Sequence, residues 1–227
     1  MDTTLAPAHS PTVPDNAAAL RGAIRSIAAA LLAGAVAGFL VGGVLGRLAM
    51  RLLALTSPDI AQGRLTDDAA RVGQFTLGGS LTLAIFLTVL GAVAGLVYLL
   101  VRRILPASRG LRVAGFALLT GTIAGAGLLH DHPSFDFHIL QPTWLAVSMF
   151  LAIPAGVGAV AAWLTEVLSA RDVPPFTGVL PRLWRSTPIT VLGVTLYWVL
   201  VAWGAWGILA DVTSMAADSP STWPFTY

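Results

Sequence analysis

Ala30-Leu-Leu-Ala-Gly34-Ala-Val-Ala-Gly38-Phe-Leu-Val-Gly42-Gly-Val-Leu-Gly46-Arg47-Leu-Ala-Met-Arg51 combines a long charge-free run with regularly spaced glycine and ends on two arginines. Glycine returns every fourth residue at Gly34, Gly38, Gly42 and Gly46. On a helix of about 3.6 residues per turn, that spacing makes a shallow groove that drifts slowly around the axis and admits a neighbouring helix at short range. Lipid tails solvate apolar side chains well, so helices in a bilayer associate through such small-residue faces. Gly91 and Gly95, and again Gly121 and Gly125, repeat the device. These eight glycines are the expected helix-packing positions.

Composition sets the class. Of 227 residues, 56% are hydrophobic and 11% charged, too few charges to clothe a water-soluble domain of this size. The expectation is an all-α integral membrane protein whose main partner is the lipid bilayer. The 13 basic residues are all arginine, and most stand at the ends of apolar runs. The basic balance therefore reads as membrane flanks, and a nucleic-acid partner is not expected. With no cysteine there is no disulfide, thiol nucleophile or cysteine metal site. The alanine-rich, lysine-free composition points to a bacterial source, hence the inner (plasma) membrane.

Residues 1–15 carry prolines and little apolar surface, and they read as a disordered cytoplasmic tail with no cleavable signal peptide. Between Arg25 and Arg47 lie 21 uncharged residues, enough to cross ~30 Å of hydrocarbon. Within the single transmembrane domain, 16–211, the spans are expected at about 27–46, 76–101, 113–129, 143–168 and 189–210. The first helix should run past the membrane until Ser57-Pro58 stops it. Arg102, Arg103, Arg109 and Arg112 crowd one short linker, and Arg171, Arg182 and Arg185 another. The positive-inside rule places both linkers and the amino terminus in the cytoplasm. Residues 212–227 then form an extracytoplasmic tail. Pro154 should kink the fourth span, whose Trp144 and Trp163 are 19 residues apart and suit opposite interfaces.

A duplication is the next expectation. Phe86-Leu-Thr-Val-Leu-Gly-Ala-Val-Ala-Gly95 parallels Phe150-Leu-Ala-Ile-Pro-Ala-Gly-Val-Gly-Ala159 at a constant offset of 64, and Ala37-Gly38-Phe39 resembles Ala114-Gly115-Phe116. Spans one and two would then form one hairpin and spans three and four a parallel copy, with the fifth span added.

The sites that carry chemistry lie at helix ends. His130, His132 and His138 fall within nine residues, interleaved with Asp131 and Asp136. The segment reads as a polar loop, as a ligand or pH-sensing site, or as a metal site using His130, His132, Asp136 and His138. Arg47 and Arg51, one turn apart, should reach the same membrane face. They are expected to pair with Asp67, Asp68, Asp131 or Asp136, or to hold an anionic ligand between forked donors. Glu166, the only glutamate, is either interfacial or paired with Arg102 or Arg103.

No charge falls in the centre of any span, which disfavours proton-coupled pumps and voltage sensors. Nucleotide loops, a Gly-x-Ser-x-Gly elbow and a His-Glu-x-x-His pair are missing from the sequence. The expectation is a non-catalytic structural, partner-binding or sensory membrane component with an outward polar cap, needing no cofactor and able to associate with itself or another membrane protein. The alternatives are a small-solute transporter or channel, and a metal-binding protein or enzyme using the His130 to His138 loop.

Overall fold

A computed structural model describes residues 16–57, 76–129, 142–169 and 187–217. All the regular structure among these residues is helical. The first helix comprises α1 (Asn16–Ala37), a π-helical segment (Gly38–Leu45) and α2 (Gly46–Thr56), which continue one another. Then come α3 (Leu77–Val101), α4 (Arg109–Leu129), α5 (Thr143–Ser169) and α6 (Thr187–Ala217). Five stretches, Leu20–Thr56, Leu77–Val101, Arg109–Leu129, Thr143–Ser169 and Thr190–Met215, are long and apolar enough to cross a membrane.

Local chemistry sets the helix ends. Ser57 is extended at ψ 150°, as a residue preceding proline must be, and its N–H still donates to the Leu53 carbonyl at 3.0 Å. Thr76 caps α3: its hydroxyl accepts from the Gly79 N–H at 3.3 Å, satisfying a donor that the first turn leaves open. Between α3 and α4 the chain turns within seven residues, 102–108, containing Pro106. So short a connection makes the two helices antiparallel. The N–H of Arg112 donates to the Ser108 carbonyl at 3.0 Å as α4 begins.

Packing runs in the order α3, α1, α5, α4, α6. The principal contacts are α1 and its π segment on α3, α1 on α5, α4 on α5, and α6 on α4. Spans one and two thus form one antiparallel pair and spans three and four a second, joined chiefly through α1 and α5. Pro154 lies inside α5. One apolar cluster gathers Tyr98, Phe116, Leu119, Ala162, Tyr197 and Val201. Another, at the far end of the bundle, gathers Leu53, Leu129 and Ala146.

The closest approach is between α1 and α3. A methyl group at Gly34 would strike the Gly91 carbonyl, one at Gly38 the Leu87 carbonyl, and one at Gly95 the Ala30 carbonyl. A methyl at Gly91 would stand 2.6 Å from the Gly38 Cα. These are backbone obstacles, and a rotamer change cannot clear them. Gly42 and Gly43 are less tight, at 3.1 Å from the Leu87 side chain and 3.2 Å from the Ala84 Cα. Gly46 has left this face altogether: its added methyl would meet only Ile153 of α5, at 4.0 Å.

The π segment explains how Gly42 and Gly43 both stay on α3. Four-residue steps on an α-helix overshoot a full turn by about 40°. A π turn, closed by i→i+5 bonds, holds more than four residues, so the same step falls short and the drift reverses. At the end of the segment the Gly46 N–H donates to the carbonyl of Val41, five residues back, as well as to that of Gly43.

Gly91→Ala and Gly38→Leu should each lower the midpoint of thermal unfolding of the detergent-purified protein, by an amount near the upper end of the ~1–3 kcal/mol typical of overpacking. Gly127→Ala, where an added methyl meets nothing within 4 Å, should leave the midpoint unchanged or slightly raised.

Candidate functional site

The best-defined polar cluster joins three helix ends. Tyr98 lies in the last turn of α3, Arg112 in the first turn of α4 and Glu166 in the last turn of α5. The Tyr98 hydroxyl donates to Glu166 Oε1 at 2.7 Å, and Arg112 Nη1 donates to the same oxygen at 3.1 Å. The Arg112 and Glu166 side chains retain 25% and 15% of their exposure, so solvent screens this ion pair only weakly. Tyr98 is fully buried, with its ring edge-on to Phe116 at 5.1 Å between centroids.

The same arginines fasten the turn between α3 and α4. Arg112 Nη2 donates to the Ala107 carbonyl at 3.0 Å, and Arg109 Nη2 reaches the Trp163 carbonyl of α5 at 3.4 Å. Burial pulls the Arg102 guanidinium below the ordinary arginine value. The charge of Glu166 and the Tyr98 hydroxyl oppose that shift, whereas neighbouring Arg103 and Arg112 add to it. Chemically, a carboxylate oxygen already shared by a phenol and a guanidinium is a clamp. It is poorly placed to act as a base.

The clamp marks a charged end of the bundle. Because Ala30 and Gly34 lie against Gly95 and Gly91, Arg21 and Arg25 at the start of the first helix share an end with Arg102 and Arg103. Among the described residues this end holds six arginines and one carboxylate, Glu166. At the opposite end, Arg47 is half-buried and Arg51 exposed. Arg47 Nη2 comes within 3.3 Å of where a methyl on Gly79 would sit, so the guanidinium lies beside the first turn of α3. Asp67, Asp68, Asp131, Asp136, His130, His132 and His138 fall outside the described residues. Among the described residues no three His, Cys, Asp or Glu side chains gather closely enough to hold a metal ion.

Glu166 pairs with Arg112, an arginine not among the partners expected from the sequence. The reason is topological: α4 is the main neighbour of α5, so its first turn delivers Arg112 to the end of α5. Tyr98 was missed as well. Its signal was a phenol in an otherwise apolar run, one helical turn before Arg102.

The interior polar groups are spent locally. The hydroxyls of Thr88, Thr120, Thr122, Ser148 and Thr165 each donate to a carbonyl of their own helix three or four residues back. The Tyr197 hydroxyl donates to the Gly115 carbonyl at 2.9 Å, tying α6 to α4. A groove of about 390 Å³ on the outer face of α1 and α3 is lined by Ala35, Val36, Phe39, Leu40 and Thr88, and its one hydroxyl is bonded to Ala84. No protein-family model matches the chain, and comparison with curated proteins and with solved structures finds no match.

Tyr98→Phe should cost about 1 kcal/mol, the net worth of one hydrogen bond. Glu166→Ala should cost more, since it leaves both Tyr98 and Arg112 without their acceptor. A double-mutant cycle between Tyr98→Phe and Glu166→Ala, followed by denaturant unfolding in detergent, should give a coupling above ~0.5 kcal/mol; additivity would refute the clamp.

Proposed function

We propose that the chain is a multi-pass inner-membrane protein without catalysis of its own. It acts as a structural, partner-binding or sensory component whose outward polar cap comprises Arg47, Arg51, the Asp67/Asp68 region and the His130 to His138 loop. The observation that carries this reading is the use made of the interior polar groups. The hydroxyls of the helix middles are returned to their own backbones, and the Tyr98, Arg112 and Glu166 groups hold three helices together. Such an interior favours a packed scaffold over a route for a polar solute.

The amino terminus and the arginine-rich end face the cytoplasm, and the carboxyl terminus lies outside. Among the described residues, six arginines against one carboxylate at the first of these ends support that orientation. The hairpin of spans one and two and that of spans three and four are parallel copies. Supporting this, Gly38 and Gly42 rest on Gly91 and Leu87, while Gly121 and Gly125 rest on Ala155 and Leu151. The first-helix glycines correspond at an offset of 83, which replaces the 77 of the Ala37 and Ala114 triplets, and their partners correspond at the 64 found in the sequence. Paired repeats of this kind also occur in transporters, and that is what keeps the small-solute carrier as the second reading.

Two measurements test the proposal. A topology reporter fused after Tyr227 should read extracytoplasmic and one inserted at Ala107 cytoplasmic, and the reverse would overturn the orientation. Because the chain has no cysteine, Arg51→Cys places a single thiol in the cap. Cross-linking in native membranes should give one discrete adduct of defined mass from Arg51→Cys, and none from Leu90→Cys on an exposed apolar face. Saturable uptake of a small solute into liposomes holding the purified protein would instead establish the carrier reading.

A further inference from the structure

The arginine-rich end presents its charge at the rim of an apolar surface. Leu100, two residues before Arg102, is 66% exposed, and Leu111, between Arg109 and Arg112, is 59% exposed. Trp163, whose carbonyl accepts from Arg109, is itself 51% exposed. On the reading of this chain as membrane-spanning, these side chains meet hydrocarbon, and the guanidiniums immediately beyond them stand at headgroup depth, where an exposed tryptophan is also favoured.

Among the described residues, arginines at this rim outnumber carboxylates six to one. Arg112 has Glu166 as its counter-ion at 3.1 Å. Arg102 is half-buried: burial disfavours its charged form, Glu166 and the Tyr98 hydroxyl favour it, and the two neighbouring cations Arg103 and Arg112 disfavour it. Arg109 is exposed and sends one of its five N–H donors to the Trp163 carbonyl. Arg102 and Arg109 flank the seven-residue turn 102–108, and both lie by the last turns of α5, Arg109 on the Trp163 carbonyl and Arg102 within electrostatic reach of Glu166. Two guanidiniums at a rim next to hydrocarbon, where arginines are in excess among the described residues, suit an anion that carries its own apolar tails. A nucleic acid or acidic peptide would need its basic surface clear of the apolar belt.

We propose that Arg102 and Arg109 form a binding site for the phosphate group of an anionic phospholipid at the rim of the bundle, with the Glu166–Arg112 pair positioning them. Forked N–H donors match phosphate oxygens, and basic pockets between helix ends recognise such headgroups. The proposal rests on the membrane reading and adds the class of lipid.

The test uses the full-length protein in nanodiscs of phosphatidylcholine with a minor fraction of phosphatidylglycerol, with native mass spectrometry counting the lipids retained after release. Phosphatidylglycerol should be retained in preference to phosphatidylcholine. Arg102→Gln and Arg109→Gln should each weaken that preference about fivefold, the equivalent of ~1 kcal/mol per arginine at an anionic surface. Removing equal charge elsewhere, with Arg64→Gln and Arg71→Gln, should leave it unchanged. In the unaltered protein, rising sodium chloride should shrink the preference, a readout that does not depend on any variant folding. Equal retention of the two lipids, or a preference indifferent to salt, would overturn the proposal. So would displacement of all the phosphatidylglycerol by inorganic phosphate, which would assign the site to a free anion. Failure of the protein to enter the nanodisc bilayer would refute the membrane reading itself, and the headgroup site with it.

Discussion

The bundle depends on one contact, the meeting of bare backbone at Gly34 and Gly38 with Gly91 and Gly95. Dispersion falls steeply with distance, and in an apolar solvent no hydrophobic gain compensates for a gap. The two helices must therefore touch along their main chains if they are to hold. Ala30, Ala33 and Ala37 are buried on the same helix, and they continue the small-residue surface. Once α1 and α3 are locked, the Arg25 and Arg102 ends fall together and α1 keeps another side for α5. Larger residues, Phe39, Leu40, Phe86 and Leu90, are left on the outside.

The second pair is held by different means. Gly121 and Gly125 face the Leu151 and Ala155 side chains, and Gly158 faces the Thr120 side chain, so α4 and α5 interlock side chain against glycine. That arrangement is more adaptable than backbone on backbone. It is supplemented at one end by the Tyr98–Glu166–Arg112 cluster, which is directional and fixes how far α5 can slide along α4. The sixth helix packs on α4 through Tyr197, Val201, Gly204 and Gly207, while Trp198, Trp203 and Trp206 are all more than half exposed.

The number of the long apolar helices was legible in the sequence because charge-free length is a one-dimensional property, read directly between Arg25 and Arg47 or between Arg71 and Arg102. The end at Ser57 was legible for a similar reason, since proline acts on its immediate neighbour. Which arginine meets Glu166 depends on the order in which helices pack, a property of three dimensions that runs of apolar residues do not encode. The π segment was likewise out of reach. Its sequence is as compatible with regular α-helix, and it arises where contacts to two different neighbours compete. Of the candidate site, Arg47 and Arg51 lie at the end opposite the clamp, and the acidic and histidine residues read with them fall outside the described residues.

That competition has a further consequence. The amino-terminal half of the first helix is phased by α3 through Gly34 and Gly38, while the carboxy-terminal half answers to α5 and α4 through Gly46 and Leu53. Between the two, the widened turns of Gly38–Leu45 accommodate surplus chain that a regular helix would not. The segment is therefore the place in this helix where chain length can vary. Losing one residue there converts a wide turn to an ordinary one and leaves both flanks in register, whereas the same loss in the middle of α3 or α5 turns everything beyond it by about 100°. Insertions and deletions within the apolar core of this fold should accordingly collect between Gly38 and Leu45.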